Sequence, residues 1–288
     1  MFKFLCDRQG MKTRFFSTLF MLSFILLTGS GEAFVPQAPH LIYLVVDKIK
    51  QPVGIEIVQT KKILNFKDTP NGYLELEERL IYAYPNQLRS EIISEPLTSF
   101  SVESDFRFIK VKNRVIVSHE KPLVDLYTDI LFYRDHESLL KQISLAGIDT
   151  EKVSFQRYED TICYVIGSLE KAIPHSSLWI EKESFLPVKY VVEKNGLKVE
   201  FLYLNWQRYS KTWYPMQVSI FLDHQLFATV DVQRFDLKSG LSPSLFAIDH
   251  IEQSYPKNNP DPADSLDENS KQVDELGKRL EDFKKLYE

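Results

Sequence analysis

The sequence predicts a mainly β protein with helices (α+β), built on a long antiparallel meander of about ten strands. Three observations predict it. Apolar and polar residues alternate with period two over most of 54–236, short runs are separated by turn-forming residues, and the period becomes helical only at 38–50, 123–146 and 265–288.

Residues 38–50 form an amphipathic helix in which Leu41, Leu44, Val45 and Ile49 share a face and Pro52 closes the run. Strands follow at 54–64 and 72–84, the second with Leu74, Leu76, Leu80, Tyr82 and Tyr84 on one face and Glu75, Glu77 and Arg79 on the other. The cluster Asp68-Thr-Pro-Asn-Gly72 is a hairpin turn by composition. Pro85-Asn86 marks the next turn, 88–94 the next strand, and 106–117 a hairpin with Lys112-Asn113 at its tip. Leu126, Ile130, Leu131, Leu139, Leu140, Ile143 and Leu145 then recur at helical spacing, giving one or two helices broken near Arg134-Asp135 and ended by Gly147. Strands resume at 153–158, 162–168, 177–182, 187–193, 197–208, 216–223 and 225–236, with tight turns at Asn195-Gly196 and Asp223-His224. A sheet that long tends to curl into a barrel or half-barrel.

Two terminal segments lie outside this pattern. Residues 1–33 read as a secretory signal peptide: Lys12 and Arg14 form a basic region, 15–27 an apolar one, and Gly31-Glu32-Ala33 a cleavage site. An uncleaved anchor is the alternative, although the apolar run is shorter than a bilayer span, and translation starting at Met11 would make residues 1–10 an extension. Residues 28–34, just after the apolar run, contain no cysteine, so a lipoprotein signal is excluded, and the expected compartment is the periplasm. The domain proper is assigned to 34–252. Residues 253–264, rich in Pro, Asn and Asp, form a linker. Residues 265–288 form a charged amphipathic helix with Val273, Leu276, Leu280 and Phe283 in a stripe, suited to packing back, to self-association or to a partner.

Removing residues 1–33 leaves 255 residues and takes four basic and two acidic side chains from totals of 35 and 40, giving 31 against 38, a balance of −7. An acidic chain without an Arg/Lys stripe is a poor partner for nucleic acid. Cys163 is the one cysteine beyond the leader, so no intramolecular disulfide is expected. None of the six histidines has zinc spacing to another His or Cys, and there is neither a nucleophile elbow nor a phosphate-cradling glycine loop. Ser168-Leu-Glu-Lys171 matches a Ser-x-x-Lys spacing that arises often by chance. No enzyme, metal site or cofactor is expected.

The order of motifs is informative. After the leader and first helix come Gly72-Tyr-Leu-Glu-Leu76 and Tyr84-Pro-Asn-Gln-Leu-Arg89; mid-chain helices precede Ser177-Leu-Trp-Ile-Glu-Lys-Glu183 and Leu186-Pro-Val-Lys-Tyr190; Trp213-Tyr-Pro215 and Ser244-Leu-Phe246 close the series. This resembles the outer-membrane lipoprotein-sorting family of LolA/LolB-like periplasmic carriers, over roughly residues 38–250. The resemblance implies a half-open antiparallel barrel with a helical lid, whose concave apolar face holds the acyl chains of a lipid or lipoprotein. Residues 38–50 and 123–146 are the available covers. In the carriers an arginine helps hold the lid shut, and Arg89 is the matching position. The C-terminal linker and helix are not part of the carrier pattern, which marks a divergent relative.

Alternation selects the lining residues. Met216, Val218, Ile220 and Leu222 share one face of a strand, and Ala228, Val230 and Val232 one face of the next. Either they contact acyl chains or they pack as plain core against the lid. In 197–206 both faces are apolar, so one is free for the tail helix or a partner. Two functions therefore compete: an acyl-chain carrier between envelope membranes, and a non-transport envelope interaction or lipid-sensing protein that binds an inner- or outer-membrane protein through its tail.

Overall fold

Alternating patterns carry most of the chain into one antiparallel sheet of thirteen strands. The computed structural model describes residues 35–50, 52–64, 72–94, 99–168, 176–194 and 196–257. The leader, most of the 68–72 turn, Asn195, Lys171 of the Ser-x-x-Lys match, residues 258–264 of the expected linker and the tail helix lie outside these residues.

The strands are β1 Gly54–Leu64, β2 Tyr73–Ala83, β3 Gln87–Ile92, β4 Ser99–Ser104, β5 Arg107–Lys112, β6 Val115–Ser118, β7 Val153–Tyr158, β8 Thr161–Ile166, β9 Ser177–Glu181, β10 Pro187–Lys194, β11 Leu197–Tyr209, β12 Thr212–Leu222 and β13 Gln225–Lys238. Their order, β6-β5-β4-β3-β2-β1-β13-β12-β11-β10-β9-β8-β7, joins two hairpin meanders through the long-range pair of β1 and β13. The sheet stays open, with β6 and β7 at its edges, so the architecture is a half-open antiparallel barrel with helices. The sheet is not a single sequential run, because the chain crosses from one edge to the other between β6 and β7.

The helices are α1 Ala38–Ile49, α2 Tyr127–Phe132, α3 His136–Leu145 and α4 Ile248–Ser254. In α1, Pro39 starts the first turn, and Ala38, Leu41, Ile42, Val45, Val46 and Ile49 are buried on one face. At about 1.5–3 kcal/mol for each large aliphatic side chain, that face contributes on the order of 10 kcal/mol to docking. Every residue of α2 is buried. The expected break at Arg134-Asp135 is present: Asp135 caps α3 by accepting a 2.9 Å bond from the Ser138 N–H.

Three features depart from the expectation. β4 is an additional strand, whose Phe100 and Val102 point outward while Ser101 and Glu103 point inward. Its apolar face belongs to a second, smaller core with Ile81, Ile109, Val111 and Ile116 on the outer side of the sheet. A 3-10 turn, Pro243–Phe246, and α4 cover that core with Phe246, Ile248 and Ile251. The residues assigned to the start of the linker also dock there: the Tyr255 ring lies 5.7 Å from Phe100, and the Ile116 N–H donates to the Pro256 carbonyl at 3.0 Å.

Candidate functional site: the lid on the inner face

The inner face of the sheet carries the main core, and α1, α2 and α3 lie on it as a lid. Its two halves differ in chemistry. From β8 to β13 it is apolar and aromatic: Ile166, Leu178, Ile180, Tyr190, Phe201 and Ile220 are among its buried members. From β1 to β5 polar residues enter the same face, because Gln59 and Lys61 continue the inward parity of Ile55 and Ile57.

Polar contacts fix the lid over that second half. The Gln59 side chain donates to Glu78 at 2.6 Å and to the Tyr127 hydroxyl of α2 at 2.8 Å. Lys61 binds Asp125 at 2.5 Å. Burial pulls the Lys61 ammonium down, but Asp125 and Glu78 more than offset this and raise it. Lys121 binds Glu103 of β4 at 2.6 Å and Asp129 of α2 at 2.5 Å. Tyr133 donates to Glu103 at 2.7 Å, and Gln142 of α3 to Asp129 at 2.9 Å. Burial, reinforced by Glu103, pushes the Asp129 carboxyl up to about 6 against the pull of Lys121 and Gln142. Over the apolar half, the Tyr203 hydroxyl donates to the Tyr127 carbonyl at 2.9 Å.

Arg134, 2% exposed, holds the junction of the lid helices. Its guanidinium donates to the carbonyls of Leu131 at 2.7 Å and Lys50 at 3.0 Å, which are C-terminal acceptors of α2 and α1, and to the Thr212 hydroxyl of β12 at 3.4 Å. It also lies 5.6 Å from the centre of the Tyr82 ring. No carboxylate pairs with it among these contacts, and burial brings its pKa down to about 10. The negative ends of the two helix dipoles stand in for a counter-ion.

A cavity of 640 Å³ opens at the lid margin, between the β5–β6 edge, α3 and β10. Phe106, Phe108, Leu126, Leu145 and Val192 give it apolar walls, and the Glu103–Lys121–Asp129 cluster is its polar part. Among the described residues no group of three His, Cys, Asp or Glu side chains is placed to hold a metal ion.

The residues selected from sequence fall in three places. Val218, Ile220, Leu222 and Val230 are buried under the lid, with Val232 half-buried beside them. Met216 is half-buried and accepts a 3.1 Å contact from the Tyr209 hydroxyl. None of these lines the open cavity. Arg89 is on the other face: it binds Glu91 at 2.7 Å and the Leu245 carbonyl at 3.3 Å, and lies 4.0 Å from the Phe100 ring. It therefore secures the outer core, and the arginine at the lid is Arg134. One signal for the missed polar contacts was available, since Lys61 shares the parity of Ile55 and Ile57. Arg134 sits in a helix break, where spacing carries no facing information.

No protein-family model matches the chain, and no curated protein matches it. Solved structures do match. A LolA-superfamily protein from Nitrosomonas europaea superposes with a TM-score of 0.51 at 10% identity, covering 75% of this chain and 100% of its own. A domain described as an outer-membrane lipoprotein-sorting protein, from Vibrio parahaemolyticus, gives 0.50 at 10% identity, covering 74% and 97%. The inner-face core, the crossing lid and the open edges are thus those of a divergent LolA-like fold.

Proposed function

We propose that this protein binds acyl chains of a lipid or lipoprotein between the inner face of its sheet and the lid, and carries them between envelope membranes in the periplasm after loss of residues 1–33. The observation that carries this reading is the construction of the lid. Three short helices cover a broad apolar face without adding a strand to the sheet, and a few polar contacts tie them down. Such a cover can lift as a unit and leave the sheet intact. The 640 Å³ cavity beside it lies within the roughly 300–1,000 Å³ range of small-molecule sites. Burying about 12 methylene groups contributes on the order of 10 kcal/mol, comparable to the docking of α1 alone, so more than one acyl chain is needed to offset lifting of the whole lid. No helix among the described residues is long and apolar enough to cross a membrane. The reading is one of binding without catalysis.

Titration of purified residues 34–288 with cis-parinaric acid, a fluorescent fatty acid, tests it. Saturable enhancement at one equivalent is expected; fluorescence that never saturates, or matches that of unfolded protein, rejects the reading.

A further inference from the structure

We propose that the bound lipid carries an anionic headgroup, which replaces the Asp125 carboxylate on Lys61 when the lid lifts. The inference rests on the acyl-binding reading and adds the class of headgroup.

The inner face holds a polar row running across the strands. Gln59 stands opposite Glu78, Ser90 opposite Ser101, and Ser101 opposite Lys110. In the other direction Lys61 stands opposite Val230, Val230 opposite Val218, and Val218 opposite Tyr203. Lys61, the next inward residue after Gln59 on β1 and opposite Leu76 on β2, borders the polar lane on one side and the apolar half on the other. An amphiphile with its chains over Val230 and Val218 places its headgroup at Lys61.

The charges on this lane select the sign of the headgroup. Glu78 is occupied, because it accepts from Gln59 and from the Ser90 hydroxyl, both on the sheet. Lys61 has its direct partner on the lid. Asp125 belongs to the 3-10 turn Leu123–Asp125 and comes within 2.5 Å of the Lys61 ammonium. Burial raises the Asp125 carboxyl, but Lys61 first, then Lys110 and Lys121, outweigh burial and hold it below the usual carboxylate range. Removing the lid removes Asp125 and takes from Lys61, with a side chain only 9% exposed in the closed form, its direct ion-pair partner, leaving it the weaker pull of Glu78, which Gln59 and Ser90 already engage. Water reaches Lys61 when the lid lifts, but a lipid that takes the lid's place covers it again, and a buried charge without a partner is strongly unfavourable, so the lipid is held well there only if it brings an anion. A phosphate or carboxylate head supplies one, while an uncharged diacylglyceryl group does not. The pair is also accessible from outside, since the Asp125 side chain is 35% exposed.

Calorimetric titration of residues 34–288 with dioctanoyl-phosphatidylglycerol and with dioctanoylglycerol separates these cases, because their acyl chains are identical. The phosphatidylglycerol should bind at least about tenfold more tightly, as one charge-assisted contact implies, and Lys61→Met should remove the difference. Lys61→Arg keeps the cation and its Asp125 partner, and should retain the preference in a folded protein. Decanoate against decanol repeats the comparison with a carboxylate and assigns which anion suffices. Equal affinity for the two dioctanoyl lipids overturns the headgroup inference and leaves acyl binding standing. Failure of every lipid to bind overturns both.

Discussion

Replacing Arg134 by Met should loosen the lid without disturbing the sheet. The guanidinium satisfies the Leu131 and Lys50 carbonyls and contacts Thr212, which itself donates to the Ile49 carbonyl at 3.1 Å. Methionine fills much of the same volume but donates nothing. Each buried carbonyl left without a donor costs about 1–3 kcal/mol, and loss of the positive charge at two helix C-termini adds about 0.3–1 kcal/mol each. The stacking on Tyr82 is also lost, worth about 0.5–2 kcal/mol. Against this, the variant no longer buries a guanidinium without a carboxylate partner, a penalty of several kcal/mol in its own right. The balance is a loss of about 3 kcal/mol in lid docking. Since 1.4 kcal/mol is a factor of ten, amide hydrogen exchange in α1, α2 and α3 should accelerate by about a hundredfold, with β11–β13 slower to respond. The midpoint of thermal unfolding should fall by about 6–12 °C for a domain of this size. Exchange in the lid within threefold of the wild type, with an unchanged midpoint, would refute the assignment of Arg134 as the fastening of the lid.

Asp129 gives a pH dependence of defined sign. Its folded pKa is raised from 3.8 to about 6, so the associated stability is complete below about 4 and is lost as pH rises through 6. Asp129→Asn should therefore gain on the wild type between pH 4.5 and 7.5, by up to about 3 kcal/mol, in chemical denaturation at the two pH values; an advantage that shrinks with rising pH contradicts the assignment. Val218, 3% exposed beneath the lid, should tolerate no charge: Val218→Glu should cost at least about 3 kcal/mol, so circular dichroism must accompany any loss of lipid binding. Ala146→Trp narrows the cavity at its wall and should weaken cis-parinaric acid binding about tenfold while moving the thermal midpoint by less than 3 °C, as expected of a half-buried position at the margin of the core. Binding unchanged in a folded Ala146→Trp protein would remove that cavity from the acyl path.

The architecture was legible where period and turn chemistry agree. Alternation located β1, β2 and the strands from β7 to β13, and the break at Arg134-Asp135 appeared as expected. β4 was missed because Ser99–Ser104 is short and its Phe100 and Val102 serve the outer core, which no pattern in 99–104 announces. α4 and the docking of Tyr255 were missed for a related reason: seven residues with two buried apolar side chains, Ile248 and Ile251, give too little periodicity to stand out from a polar linker. Strand order was legible only locally. Hairpins follow from tight turns, but the pairing of β1 with β13 joins residues some 180 apart and depends on both halves closing over one core. At the site, alternation identified Val218, Ile220, Leu222 and Val230 as inward residues, and the structure places them beneath the lid. It could not place Arg89, since position in a motif does not reveal which face of β3 its side chain occupies. The ion pairs Lys61–Asp125 and Lys121–Glu103 join residues 64 and 18 apart, and only the folded lid brings them together.

Native mass spectrometry of the protein expressed with its own leader, recovered from the periplasm and set beside the denatured mass, tests acyl binding most directly. The account predicts a chain beginning at Phe34 and, in the native spectrum alone, an added mass that fragments into fatty acids and an anionic headgroup. A native mass equal to that of the bare chain, unchanged after incubation with phosphatidylglycerol vesicles, would contradict it.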